Sequence, residues 1–216
     1  MEKVWFTSDL HFSHKNILKH CENRLKAFGI DENCNEDEKI MLHDKLLVKM
    51  WNKTIAKKDT VYILGDFSFA NADDTKKIVS KLNGNKFLIT GNHDNSSLKL
   101  SNYFKQIVQM KEITFKKDNF DFLQEDFYVF CCHYAMLTWN RKHYGVCQLM
   151  GHSHGRMDDF NDESTDLRVD VGIDGKLADF NFISLEKVYN YFKQKTNGVP
   201  FLEYAQDKKK ENLMII

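Results

Sequence analysis

The chain has 216 residues, enough for one large α/β domain, and its 42% hydrophobic, 13% aromatic and 29% charged side chains can fill and cover a core, which excludes disordered and collagen-like classes. Thirty-one basic and thirty-one acidic residues cancel, so the broad positive field of a protein built to grip nucleic acid or an anionic membrane is missing. The five cysteines, Cys21, Cys34, Cys131, Cys132 and Cys147, are odd in number and contain no CxxC, which argues against a disulfide framework or a thiolate zinc site and for a reducing compartment.

In chain order, a short apolar run from Val4 to Thr7 reads as a buried strand. A long helix follows, with Asn35 and Glu38 as its capping pair and Ile40, Leu47, Met50, Trp51 and Ile55 on one face. Thr60 to Leu64 is the second strand, Asp73 to Leu82 a helix stopped by Gly84, and Phe87 to Thr90 the third strand. Ile113 and Phe115, then Phe120 and Phe122, flank Lys117-Asp118-Asn119 and predict a hairpin. The later segments read mostly as strands: Phe127 to Cys132, Val146 to Met150, Arg168 to Val171 and Phe182 to Ser184. The acidic stretch Asp158, Asp159, Asp162 and Glu163 lacks EF-hand spacing and is expected to be a solvated loop. Residues 1–200 are expected to form one α/β domain, and residues 201–216 a tail or a final packed strand.

Asp and His recur just after the strands. Asp9 and His11 follow the first, Gly65-Asp66 the second, Gly91-Asn92-His93-Asp94 the third, His133 the strand ending at Cys132, and Gly151-His152-Ser153-His154 the strand after that. Five of the nine histidines sit in these positions. In an open α/β sheet the crevice beyond the carboxyl ends of the strands gathers residues distant in sequence. Seven of them, Asp9, His11, Asp66, Asn92, His133, His152 and His154, carry oxygen or imidazole donors, too many for one ion. Two ions ~3.5–4 Å apart sharing a carboxylate would use them all. The donor set favours Mn²⁺, with Fe, Zn²⁺, Co²⁺ or Ni²⁺ as alternatives, over copper(I) or iron–sulfur. Taken singly, Asp9 and Asn92 could cap helices, Asp66 could end a turn and His133 could be a core histidine; the run of histidines at successive strand ends favours metal.

In order, Asp9-x-His11, Gly65-Asp66, Gly91-Asn92-His93-Asp94, His133 and Gly151-His152-x-His154 resemble the five motifs of the calcineurin-like metallophosphoesterases, over about Val4 to Ile183, in the wording of small bacterial and phage-type members. The resemblance implies a four-layer αββα sandwich, two mixed β-sheets flanked by helices. It implies that Asp9, His11, Asp66 and His154 hold one metal and Asp66, Asn92, His133 and His152 a second, with Asp66 bridging. A hydroxide activated by the pair would then hydrolyse a phosphate ester. His93, not needed as a ligand, is the candidate to protonate the leaving alkoxide; Asp94 could orient it or cap the next helix. His14 and Arg24 could reach a phosphate oxygen, or be polar surface residues of a helix containing Ile17, Cys21 and Leu25. Trp139, Arg141 and His143 could line the entrance.

Gly151-His152-Ser153-His154-Gly155 also fits the G-x-S-x-G elbow of serine hydrolases, but no histidine follows His154 to serve as that fold's base. Protein phosphatases of the resembled family extend the second motif to GDxxDRG and end the third with Glu; here Phe69 and Ala70 stand at the Asp and Arg positions and Asp94 replaces Glu. The expected substrate is therefore a small phosphodiester or nucleotide-type ester. The alternatives are a catalytically silent scaffold of the same fold, or a nuclease, which the charge balance does not indicate. No apolar run approaches the ~18 residues of a membrane span, and Glu2, Lys3 and Asp9 interrupt any export signal, so a cytoplasmic protein without a membrane partner is expected.

Overall fold

The structure, a computed structural model, describes residues 2–213. Nine strands and seven α-helices follow one another as β1 (Val4–Thr7), α1 (Ile17–His20), α2 (Asn23–Phe28), α3 (Glu36–Thr54), β2 (Thr60–Ile63), α4 (Ala72–Val79), β3 (Asn85–Ile89), β4 (Gln106–Val108), β5 (Met110–Phe115), β6 (Phe127–Cys132), β7 (Cys147–Met150), α5 (Asp158–Glu163), β8 (Arg168–Asp170), β9 (Ile183–Ser184), α6 (Leu185–Lys195) and α7 (Phe201–Leu213) among the described residues.

The strands make two mixed sheets. One has the order β4-β3-β2-β1-β9, with β1 to β4 parallel and β9 antiparallel to β1. The other has the order β5-β6-β7-β8, with β5 antiparallel to β6 and the rest parallel. Alternation along the strands assigns their faces. In β6, Phe127, Val129 and Cys131 join Phe6, Tyr62 and Leu64 of the first sheet in the core between the sheets. Phe130 and Cys132, on the opposite face, pack with Trp139 and Val146. Val61, Ile63 and Leu88 turn the other way and meet Leu47 and Trp51 of α3 and Val79 of α4. Two sheets lie face to face with helices outside, the expected αββα sandwich.

α3 starts where the capping pair predicts: the Asn35 side chain accepts the Glu38 N–H at 2.9 Å and Glu38 reaches back to the Asn35 N–H. Several expectations are corrected. The hairpin's return arm is β6, because Phe120 and Phe122 sit in a turn and pack sideways onto the core; β5 pairs Phe115 with Phe127. The acidic stretch is a helix, α5, and Asp158 in it is buried and accepts the Lys176 N–H at 2.6 Å. Residues 201–213 form α7, a helix where a strand was the packed alternative; Phe201 is buried against Phe127, Tyr189 and Phe192, which ties the helix to the inter-sheet core. The last three residues of the expected tail lie outside the described residues. Trp139 does not line an entrance, since it is buried with its indole N–H donated to the Val146 carbonyl, and Arg141 lies over Tyr128 and Tyr144.

The parallel strands β1, β2 and β3 deliver their carboxyl ends to one edge, and β6 and β7 do the same from the second sheet. The two edges are stitched together there. Ser8 forms a bridge with Gly172 and the Ile173 N–H bonds the Ser8 carbonyl at 3.2 Å, while within the first sheet the Asp9 N–H bonds the Gly65 carbonyl at 3.1 Å.

Candidate metal centre

The loops at this edge are held in uncommon backbone conformations. Asp9, His11, Asp66, His152 and His154 all have positive φ, between 50° and 67°. Side chains with a Cβ occupy this region at a cost of about 1–2 kcal/mol each, and such strain gathers at functional sites. Glycines make room for the approach. A Cβ at Gly65 would overlap the His133 ring, one at Gly91 would overlap Asp66 Oδ1, and one at Gly151 would run into Ser8 and Asp9.

Two clusters of donors result. In the first, Asp9 Oδ1 lies 3.8 Å from His11 Nε2 and 3.7 Å from His154 Nε2, and the two imidazole nitrogens are 3.2 Å apart. In the second, Asp66, His133 and His152 converge, and His133 Nε2 is 3.2 Å from Asn92 Oδ1. Asp66 stands between them: Oδ2 faces His11 Nε2 at 3.7 Å and Oδ1 faces His133 Nε2 at 3.6 Å. All seven sequence-predicted donors therefore meet at one edge.

The donor atoms are arranged for a cation. Asp9 Oδ1 is buried with no hydrogen-bond partner among the described residues, although its companion Oδ2 accepts the His152 N–H at 2.9 Å. An orphaned buried carboxylate oxygen is costly, and burial pushes the Asp9 carboxyl up to about 6. Burial, with Arg24 nearby, holds His11 down to about 2, so its ring is neutral and can act as a ligand. His133 Nδ1 lies 2.7 Å from the Leu64 carbonyl, which requires Nδ1–H and leaves the Nε2 lone pair toward Asp66 and Asn92. These features fit divalent ions, and Asp9, His11, Asp66 and His154 on one side, with Asp66, Asn92, His133 and His152 on the other, are the residues that would hold them.

Outer partners fix the donors. His154 Nδ1 is 2.6 Å from Asp174 Oδ2, and Arg24 grips that carboxylate through Nε at 2.7 Å and Nη2 at 2.6 Å. Burial opposes charge on His154, but its bonds to Asp174 and Cys21 and the nearby Asp9 outweigh this and raise its pKa to about 10. With Nδ1–H given to Asp174, Nε2 is the atom that would face a metal, whose binding would displace the Nε2 proton. Arg24 also donates to the Asp9 and Leu10 carbonyls at 2.6 and 3.1 Å. It is wholly buried, so neither expectation for it holds: it is not a surface residue, and it cannot reach a phosphate.

Asp94 needs a correction too. Its carboxylate accepts the Asp66, Phe67 and Gly91 N–H groups at 2.9, 2.9 and 2.8 Å and is 1% exposed. It splices two ligand loops together and neither orients His93 nor caps a helix with its side chain. His93 is exposed, donates its backbone N–H to Asp66 Oδ1 at 3.0 Å, and has its ring 4.3 Å from that of Phe69, tilted by 34°. His14 is half-buried beside them, with its ring 5.3 Å from His11 and 3.9 Å from Phe69. Ser153, the serine of the G-x-S-x-G match, donates its hydroxyl to Asp170 and not to a histidine.

Sequence reasoning missed Asp170 and Asp174. The signal was the one used for the others: in Asp170-Val-Gly-Ile-Asp174-Gly, Asp170 ends β8 and Asp174 follows it at the same edge.

A two-sheet sandwich whose strand ends gather such a donor set defines a class of metal-binding α/β proteins. The pattern of the calcineurin-like phosphoesterases matches residues 2–175, and the chain belongs to that family. An uncharacterized protein of Methanocaldococcus jannaschii is 36% identical over 96 residues, covering 44% of this chain and 48% of the relative. The Gene 66 protein of Mycobacterium phage L5 is 39% identical over 100 residues, covering 44% of this chain and 41% of the relative. The matched stretches thus span less than half of either curated relative. A solved protein of unknown function from Aquifex aeolicus superposes with a TM-score of 0.62 over 88% of this chain and 100% of its own, at 22% identity, a likeness of fold alone. No helix among the described residues is long and apolar enough to cross a membrane.

Proposed function

We propose that the chain is a hydrolase of small phosphate esters, with a lean to phosphodiesters and nucleotide-type substrates, and that it works with two divalent ions, Mn²⁺ first among them. The observation that carries this reading is Asp66, whose two oxygens face two separate donor clusters at 3.7 and 3.6 Å. Ions bound there would neutralise charge on the phosphoryl oxygens and lower the pKa of water toward neutrality. The chain's own residues supply the rest. Asp66 fixes the spacing of the two clusters, and the Nδ1 partners of His133 and His154 hold both rings with Nε2 forward. His93, exposed beside Asp66, is the group to protonate the departing oxygen. His14, at the mouth, is the group to contact a phosphate oxygen; burial lowers its pKa, which favours the uncharged ring. A silent scaffold would have no use for the full set of donors, which this chain retains.

The test is release of nitrophenol from bis(p-nitrophenyl) phosphate by protein supplied with Mn²⁺. Turnover that stops on chelation and resumes with Mn²⁺ is expected, and His133→Ala should lack it. A fully metal-loaded protein with no turnover of this ester, or of phosphomonoesters and cyclic nucleotides, would refute the reading.

A further inference from the structure

An exposed aromatic ring stands at the mouth of the donor cluster where nothing in the metal chemistry requires one. Phe69 is 38% exposed, whereas its neighbours Phe67 and Ser68 are completely buried. Its backbone is pinned: the Phe69 N–H bonds the Phe12 carbonyl at 2.9 Å, Ser68 forms a bridge with Phe12, and the Ala70 N–H bonds Ser68 Oγ at 3.1 Å. The ring is therefore held out by a rigid loop. It lies 5.4 Å from the His11 ring, 4.3 Å from His93 and 3.9 Å from His14, so it touches one metal-donor residue and both histidines assigned to the substrate.

We propose that Phe69 is the wall of a leaving-group subsite, and that the preferred substrate is a phosphate ester whose leaving group carries a planar aromatic ring, an aryl ring on the ester oxygen itself or a nucleobase one sugar away from it. The inference rests on the reading of this edge as a phosphoesterase site with His93 beside the departing oxygen. A phosphoryl group anchored at the donor cluster with its leaving oxygen at His93 puts the substituent on that oxygen over the ring packed against His93. A rigid, half-exposed aromatic face is suited to stacking and offers no hydrogen bond by which to select a sugar hydroxyl or an amino acid. Tyr134 is a second exposed carbocyclic ring at the site among the described residues. It packs on the second donor cluster, its ring 4.9 Å from His152 and its hydroxyl 3.4 Å from Asn92 Oδ1, whereas Phe69 is the ring packed against His93 and His14.

The test uses two dianions whose C–P bonds hydrolysis cannot break, phenylphosphonate and methylphosphonate, titrated calorimetrically into the Mn²⁺-loaded protein. Phenylphosphonate is expected to bind about tenfold more tightly, Phe69→Ala to reduce that preference to about threefold or less with the metal content unchanged, and Phe69→Trp to preserve it. Equal binding of the two, binding of neither, a preference that survives Phe69→Ala, or one lost in Tyr134→Ala instead would overturn the assignment. Because binding is read without turnover, a protein that prefers phenylphosphonate yet hydrolyses no ester would refute the proposed activity and leave the subsite standing.

Discussion

Asp66→Asn is expected to lower phosphodiester turnover by about a thousandfold and to reduce bound metal from two equivalents to one or fewer. The carboxylate offers one oxygen to each cluster, 3.7 Å from His11 Nε2 and 3.6 Å from His133 Nε2. An amide keeps one oxygen and replaces the other with an NH₂ group whose hydrogens point at a cation. It also removes the negative charge that both ions would share. The fold should survive, because the backbone of residue 66 is held from outside by Asp94 and not by its own side chain. Elemental analysis and turnover on the same sample check this, and a variant with two bound ions and undiminished activity would remove Asp66 from its bridging role.

Arg24→Leu is expected to destabilise the protein by about 3–5 kcal/mol in urea unfolding, with Arg24→Lys losing less. The guanidinium and the Asp174 carboxylate have side chains 0% and 6% exposed, so removing the guanidinium takes away the main counter-charge of a buried carboxylate and leaves it to His154. Burial alone would raise the Asp174 carboxyl; the hydrogen bonds from Arg24 and His154 outweigh it and hold the group well below the usual carboxylate range. The same change frees the Asp9 and Leu10 carbonyls, which Arg24 caps where the chain turns with positive φ at Asp9. A residue that only touched substrate would behave in the opposite manner, with KM raised and stability unaltered. An unfolding free energy unchanged in Arg24→Leu would contradict the buried role.

The contrast between these two residues shows what the sequence could disclose. Asp66 was legible because its ligand chemistry is carried by residue type and by its place after an apolar run, and both survive in one dimension. The same holds for His11, His133, His152 and His154, since a histidine after a strand has few other reasons to be there. Arg24 was not legible. Its partner Asp174 is 150 residues away, and a basic residue beside an amphipathic helix reads as surface until that distant contact is known. Asp94 carries the same lesson in reverse, because adjacency to His93 suggested a pairing while its carboxylate is spent on the backbone of the Asp66 loop.

The strands were readable where burial on both faces makes them continuous apolar runs, as in β1, β2, β6 and β7. β4, with Gln106 exposed at the sheet margin and only three residues long, carries no such run. The strand expected over Phe182 to Ser184 is β9, but the expectation of mostly strands in this part of the chain leaves out α6, which Ser184 caps by accepting the Lys187 N–H at 3.2 Å. Phe69 shows the remaining limit: its position in the second motif was clear, but its exposure at the mouth of the site belongs to the fold.

Anomalous diffraction from crystals soaked in Mn²⁺ tests the central claim most directly. Two peaks are expected about 3.5–4 Å apart on either side of the Asp66 carboxylate, one against Asp9, His11 and His154 and the other against Asn92, His133 and His152. A single peak, or manganese bound only elsewhere on the molecule, would contradict it.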